Sequence, residues 1–229
     1  MFKVYCLHLK KCFLNLKNQS FFLGFIFLGL VYFIGTSMQA APSLSIDKIQ
    51  QLEQNSKGDV QKRFRAWRKL IISLENKPVM VKLEKVNSFI NLFRYENDID
   101  AQGVEDYWES PAEFIQQGGG DCEDFAIIKY FTLLMLGIPA EQLRITYVTS
   151  LTLNQAHMVL SYYSTPDAEP LILDSLENAI LKASQRADLK PVYSFNGEGL
   201  WLARQRGQSS LVGQSKNLGK WDDVLKRMQ

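Results

Sequence analysis

Past residue 40 this chain nearly lacks two side-chain types. Of its three cysteines only Cys122 lies there, and of its two histidines only His157. A single cysteine excludes an internal disulfide. One thiol with one imidazole makes zinc a poor fit, because closing a tetrahedron would require acids in unusual company. The first 40 residues contain no acid, only Lys3, Lys10, Lys11 and Lys17. Setting them aside leaves 22 basic residues against 24 acidic ones, so the formal charge moves from +2 to −2. Bulk charge therefore gives no reason to expect nucleic-acid binding. There is no internal repeat, and no apolar run reaches the roughly 20 residues of a membrane-spanning helix.

What the N-terminus does have is an export pattern. Lysines precede an apolar run of 14 residues, Phe21 to Ile34, followed by the small-residue exit Gly35 to Pro42. That order predicts residues 1–40 to be a signal peptide. Cleavage fits after Ala40, although Met38 is large for its position, and an uncleaved N-terminal anchor is the alternative. Residues 41–229 are then expected to form one exported domain, with its core at about 60–204.

The domain reads as helices first and strands second. A short helix is expected over Ile46 to Gln54. Val60, Phe64, Trp67, Ile71 and Leu74 recur at helical spacing, and Leu83, Val86, Ile90 and Phe93 mark another helix. The basic residues Lys62, Arg63, Arg65, Arg68 and Lys69 read as a solvated helix face, with an anionic docking surface as the alternative. Ser110-Pro111-Ala112-Glu113 has the form of a capped helix start. A further helix runs from Cys122 to about Leu136, where Gly137-Ile138-Pro139 stops it. Ala126, Tyr130, Leu133 and Leu136 are its expected core face. Strands are expected at Leu143 to Thr149, Ala156 to Tyr163, Pro170 to Asp174, Val192 to Phe195 and Leu200 to Ala203. Gln205 to Gly219 reads as loose, and Trp221 to Met228 as a terminal helix. The fold class is α+β.

Cys122 lies in Gly118-Gly119-Gly120-Asp121-Cys122-Glu123-Asp124-Phe125-Ala126. A glycine run thus delivers a thiol to a helix N-terminus, where unpaired N–H groups favour the reactive thiolate. Asp121, Glu123 and Asp124 oppose it. Two readings of these acids stand open: they cap the helix, or Asp121 and Glu123, with Asp124 and backbone carbonyls, hold a hard cation such as Ca²⁺. His157 opens an apolar strand 35 residues later, and Asp174 closes the next one. Cys122, His157 and Asp174 form a nucleophile, base and orienter in chain order. The backbone N–H of Cys122 is the natural oxyanion donor, with Trp108 or Gln117 as a second.

These runs, with Ala156-His157-Met158-Val159-Leu160, Leu173-Asp174, Gly137-Ile138-Pro139-Ala140, Arg186-Ala187-Asp188-Leu189 and Pro191 to Asn196, resemble the bacterial transglutaminase-like cysteine proteinases over roughly Trp67 to Leu202. The resemblance implies a papain/transglutaminase-like core, with the catalytic cysteine at a helix N-terminus packed on an antiparallel sheet. It implies a Cys122–His157–Asp174 triad and calcium on Asp121 and Glu123. It further implies a periplasmic endopeptidase that cuts a large surface adhesin near its N-terminus at a paired-alanine site. The implied partner is an inner-membrane cyclic-di-GMP receptor of the LapD type, which sequesters the protease until biofilm dispersal. A transglutaminase or peptide amidase would use the same triad. A non-catalytic receptor-binding module is the reading from another class.

Overall fold

The computed structural model describes residues 44–101, 103–203, 209–215 and 218–229. The expected signal peptide or anchor lies outside the described residues. Helices α1 (Ile46–Asn55), α2 (Gly58–Leu74) and α3 (Val79–Ile90) come first. The two-residue strand β1 (Arg94–Tyr95), the short helices α4 (Asp98–Ala101) and α5 (Pro111–Gln117), and β2 (Gly119–Gly120) lead to α6 (Cys122–Met135). Strands β3 (Leu143–Ser150), β4 (Gln155–Tyr162), β5 (Leu171–Leu173), β6 (Leu181–Lys182), β7 (Leu189–Phe195), β8 (Leu200–Ala203) and β9 (Ser209–Gly213) follow, and α7 (Gly219–Arg227) closes the chain. The seven strands form one antiparallel sheet in the order β6-β5-β4-β3-β7-β8-β9, and β1 pairs with β2 in parallel. The class is α+β, as the pattern predicts.

Helix α6 is the central element. Its residues from Glu123 to Leu133 are all buried, where the periodicity predicts one core face. It packs on β4 and β3 and also against α3 and α5. A helix enclosed in this way has no solvent side to keep polar. Trp67 of α2 donates its indole N–H to Thr132 at 2.9 Å inside the core. The core extends from Ile49 of α1 to Trp221 and Val224 of α7.

Three local results differ from the sequence reading. The basic face of α2 is partly internal: Arg63 donates to the Ile115 and Gln116 carbonyls at the end of α5, while Arg65 and Arg68 both bind Glu53 of α1. Strand β7 runs through Pro191, which pairs with Val148 of β3 while the register shift beside it leaves Val192 over; β8 pairs only with Tyr193 to Phe195, so Pro191 lies beyond that strand, where a missing N–H is tolerated. Residues Ser209 to Gly213, read as loose, pair with β8 as the edge strand β9. Its neighbouring Leu211 and Val212 are both exposed, so the in–out alternation that marks a half-buried strand is missing.

Candidate active site

Each glycine of the run meets a local constraint. Gly118 ends α5 in the left-handed region at φ 86°, which costs glycine nothing. A Cβ on Gly119 would collide with the Arg94 carbonyl of β1, and one on Gly120 with the Asp124 carboxylate. The backbone can therefore pass between β1 and α6 only without side chains. It delivers Cys122 to the first position of α6, with Asp121 as N-cap. Asp124 serves the cap: it accepts from the Asp121 N–H at 3.1 Å and the Glu109 N–H at 2.7 Å. Of the two readings of Asp124, helix capping is the one its hydrogen bonds display.

The imidazole arrives by strand register. Val148 of β3 faces His157 of β4, and Leu160 of β4 faces Leu173 of β5. Asp174, one residue past β5, is thereby a diagonal neighbour of His157 on the same sheet face. His157 Nε2 lies 2.7 Å from Asp174 Oδ1 with both side chains buried. Asp174 also accepts from the Leu176 N–H at 3.0 Å and from Arg186 Nη2 at 2.8 Å. Burial alone would raise the Asp174 pKa. The bonds from His157, Leu176 and Arg186 outweigh it and hold the carboxyl at about 2.

Cys122 and His157 open onto one cleft of about 530 Å³. Its walls include Trp108, Tyr147, Met158 and Tyr193, and Tyr147 and Tyr193 stack with ring centres 5.0 Å apart. Leu218 to Lys220, at the start of α7, complete the rim. Trp221 anchors that helix against Tyr130, Phe131 and Phe195. The Trp108 indole N–H, a candidate oxyanion donor, is already given to Asp106 at 3.0 Å. Gln117 is not among the cleft-lining residues.

The acids around the thiol are crowded. The Cys122 thiol donates to Glu123 Oε2 at 3.1 Å. Burial, then the Glu123 and Asp121 carboxylates, push the thiol's pKa far up, while the Met158 N–H opposes them. Asp121 is raised by burial and by Glu123. Carboxylate oxygens of Asp98, Asp121 and Asp124 also come within 4.8 Å of one another, as do ligand atoms of Asp121, Cys122 and Glu123. Asp121 Oδ1 is buried with no hydrogen-bond partner. A hard cation suits these features: an orphaned buried carboxylate oxygen, all-oxygen acidic donors, and repulsion that a positive charge would relieve. Asp98 is a member of this cluster that no local motif announces, since it reaches Asp121 only through the fold.

A thiol at a helix N-terminus, sharing a cleft with a buried His–carboxylate pair, defines a cysteine-peptidase type of site. The bacterial transglutaminase-like cysteine proteinase family (BTLCP) matches residues 55–194, and the chain belongs to that family. Among solved structures, Legionella pneumophila LapG is 65% identical to it, with a TM-score of 0.77 over 83% of this chain and 100% of that one. An EGTA-treated LapG is 65% identical (TM-score 0.76, covering 82% and 100%). A calcium-bound LapG is 66% identical (TM-score 0.73, covering 81% and 100%). None of the curated proteins compared with the sequence matches it.

Proposed function

We propose that this protein is a periplasmic, calcium-dependent cysteine endopeptidase that cuts the N-terminal region of a large surface adhesin at a paired-alanine site. The observation carrying the chemistry is the shared cleft of Cys122 with the 2.7 Å His157–Asp174 pair. With Nε2 committed to Asp174, the imidazole uses Nδ1 to exchange protons with the thiol. Cys122 Sγ bonds to the scissile carbonyl carbon while its proton passes to His157. The C–N bond then breaks as His157 returns that proton to the leaving amine. Water, deprotonated by the same imidazole, attacks the thioester and frees the thiol. Asp174 fixes the ring's tautomer and stabilises its charged form, and the Cys122 N–H at the helix start faces the developing oxyanion.

Asp121 and Glu123, with Asp98 beside them, would hold the calcium. The ion would offset the negative charge that disfavours the thiolate. The similarity to LapG, with its calcium-bound and EGTA-treated forms, supports this reading. The aromatic walls suit small side chains flanking the scissile bond. The adhesin, export to the periplasm and control by a LapD-type cyclic-di-GMP receptor follow from the family resemblance.

The test is cleavage of a candidate adhesin's N-terminal segment by the purified protein, with calcium and with EGTA, for wild type and for variants with the paired alanines changed to bulky residues. Calcium-dependent cutting at the alanine pair is expected. Uptake of an amine probe without cleavage would move the assignment to acyl transfer.

A further inference from the structure

We propose that Arg186, held in place by Asp188, is a positioning residue that sets the orientation and charge balance of the His157–Asp174 pair. This rests on the triad reading above. Arg186 and Asp188 precede β7, outside the cleft lining, and nothing in the proteolytic steps requires them to touch substrate.

The geometry is a relay of fixed contacts. Asp188 grips the guanidinium twice, from Nε to Oδ1 at 2.9 Å and from Nη2 to Oδ2 at 2.7 Å. Nη2 also reaches Asp174 Oδ2 at 2.8 Å. The two Asp174 oxygens are thus divided, Oδ2 to arginine and Oδ1 to His157 and the Leu176 N–H. A carboxylate free to rotate could offer the imidazole either oxygen. One held at Oδ2 by arginine, with the Leu176 N–H steadying Oδ1, offers a single acceptor along a single line. The planar arginine fork makes this possible, because one guanidinium serves two carboxylates in fixed directions.

The same contact tunes charge. Asp174 stabilises the imidazolium, and a guanidinium bound to its other oxygen draws away part of that stabilisation. The groups facing Asp174 are His157 from β4, Arg186 with Asp188 behind it, and Lys129 from α6. Lys129 is fully buried, its pKa lowered to about 7 by burial against the pull of Asp174. Arg186 is the only one of the two cations hydrogen-bonded to the carboxylate among the contacts described.

Arg186→Gln, Arg186→Lys and Asp188→Asn test the proposal in the full chain. The His157 imidazole is titrated by NMR, its signal assigned by its loss in His157→Gln, since His8 is the only other histidine. Arg186→Gln should raise the His157 titration midpoint and lower kcat roughly tenfold or more, with KM within about twofold. The limb of the pH–rate profile that His157 governs should move to higher pH. Arg186→Lys should restore the midpoint but only part of kcat, because an ammonium supplies the charge without the fork. Asp188→Asn, at a partly exposed side chain, should lower kcat by a smaller factor. A folded Arg186→Gln with wild-type kcat and midpoint would overturn the proposal. If that variant does not fold, wild-type kcat and midpoint in both Arg186→Lys and Asp188→Asn would overturn it. The titration needs no substrate, so failure of adhesin cleavage in the wild type would strike the functional reading and leave this test intact.

Discussion

On the Asp174 flank of the cleft, the buried carboxylate has partners on both of its oxygens. Asp174 binds an imidazole, a backbone N–H and Arg186, and Arg186 in turn binds Asp188. On the Asp121 flank, Asp121, Glu123 and Asp124 adjoin the thiol in sequence and the fold brings Asp98 among them. One buried oxygen there, Asp121 Oδ1, has no partner. The pKa directions follow this division: Asp174 is held below the ordinary range, while Asp98, Asp121 and Asp124 are all raised, burial leading in each. A charge balanced within the chain is finished by folding. A charge left unbalanced beside a nucleophile calls for something added, and a divalent cation is the simplest addition.

The thiol between the two flanks gives the largest expected effect. Cys122→Ala should lower the cleavage rate by about 10⁴-fold or more, as loss of a nucleophile does. Its Tm should stay within about 3 °C of wild type, since a small substitution at a half-buried site moves a domain of this size little. Loss of both activity and cooperative unfolding would mean that the cysteine packs the fold, and the comparison of flanks would lose its centre.

Calcium removal comes next and addresses the unbalanced flank directly. At about 100 times its Kd, a bound ion should add about 2.7 kcal/mol, or roughly 5–10 °C in Tm at this size. EGTA should remove that gain and slow alkylation of Cys122. Asp121→Asn should abolish the calcium shift and, in EGTA, alkylate faster than wild type, because one source of repulsion is gone. Asp188→Asn, on the balanced flank, should keep the full calcium shift. If EGTA changes neither Tm nor alkylation, the acids serve only as caps and need no cation.

The two flanks also differ in how far they can be read from sequence. Cys122 and His157 are legible because nothing competes with them past residue 40, and the strand pattern brings Asp174 into register with His157. Asp121 and Glu123 are legible as a conflict, since acids beside a thiol need an explanation. Asp124 is ambiguous until its two backbone donors are seen. Asp98 and Arg186 are invisible locally: each reaches the site through tertiary packing, and an acid or arginine in a loop has no pattern of its own. Trp221 is readable as part of a helix. Its burial against Tyr130 and Phe195 is not, because a polar stretch separates it from the strands it covers. Helix α6 shows the same limit, since periodicity describes one face while surrounding helices and sheet decide how many faces are buried.

The smallest effect is in the pH dependence of stability, where the flanks should differ in sign. Asp174 falls from its ordinary 3.8 to about 2 on folding. Its stabilisation, about 2 kcal/mol for a shift of this size, is fully present above pH 3.8 and is lost as pH falls through about 2. The raised carboxyls of the other flank behave oppositely. Their contribution is complete below the unfolded value of 3.8 and drains as pH rises. In EGTA the protein should therefore melt at a higher temperature at pH 5 than at pH 7. Calcium should flatten that slope, because a bound cation favours the ionised carboxylates, and Asp121→Asn should flatten it without calcium. Below pH 4 the slope should reverse as Asp174 takes up its proton. Melting scans across pH 2–7 in EGTA decide the matter: Tm falling steadily from pH 7 to pH 5 would show that the Asp121 flank carries no excess negative charge, and the case for a cation there would fail with it.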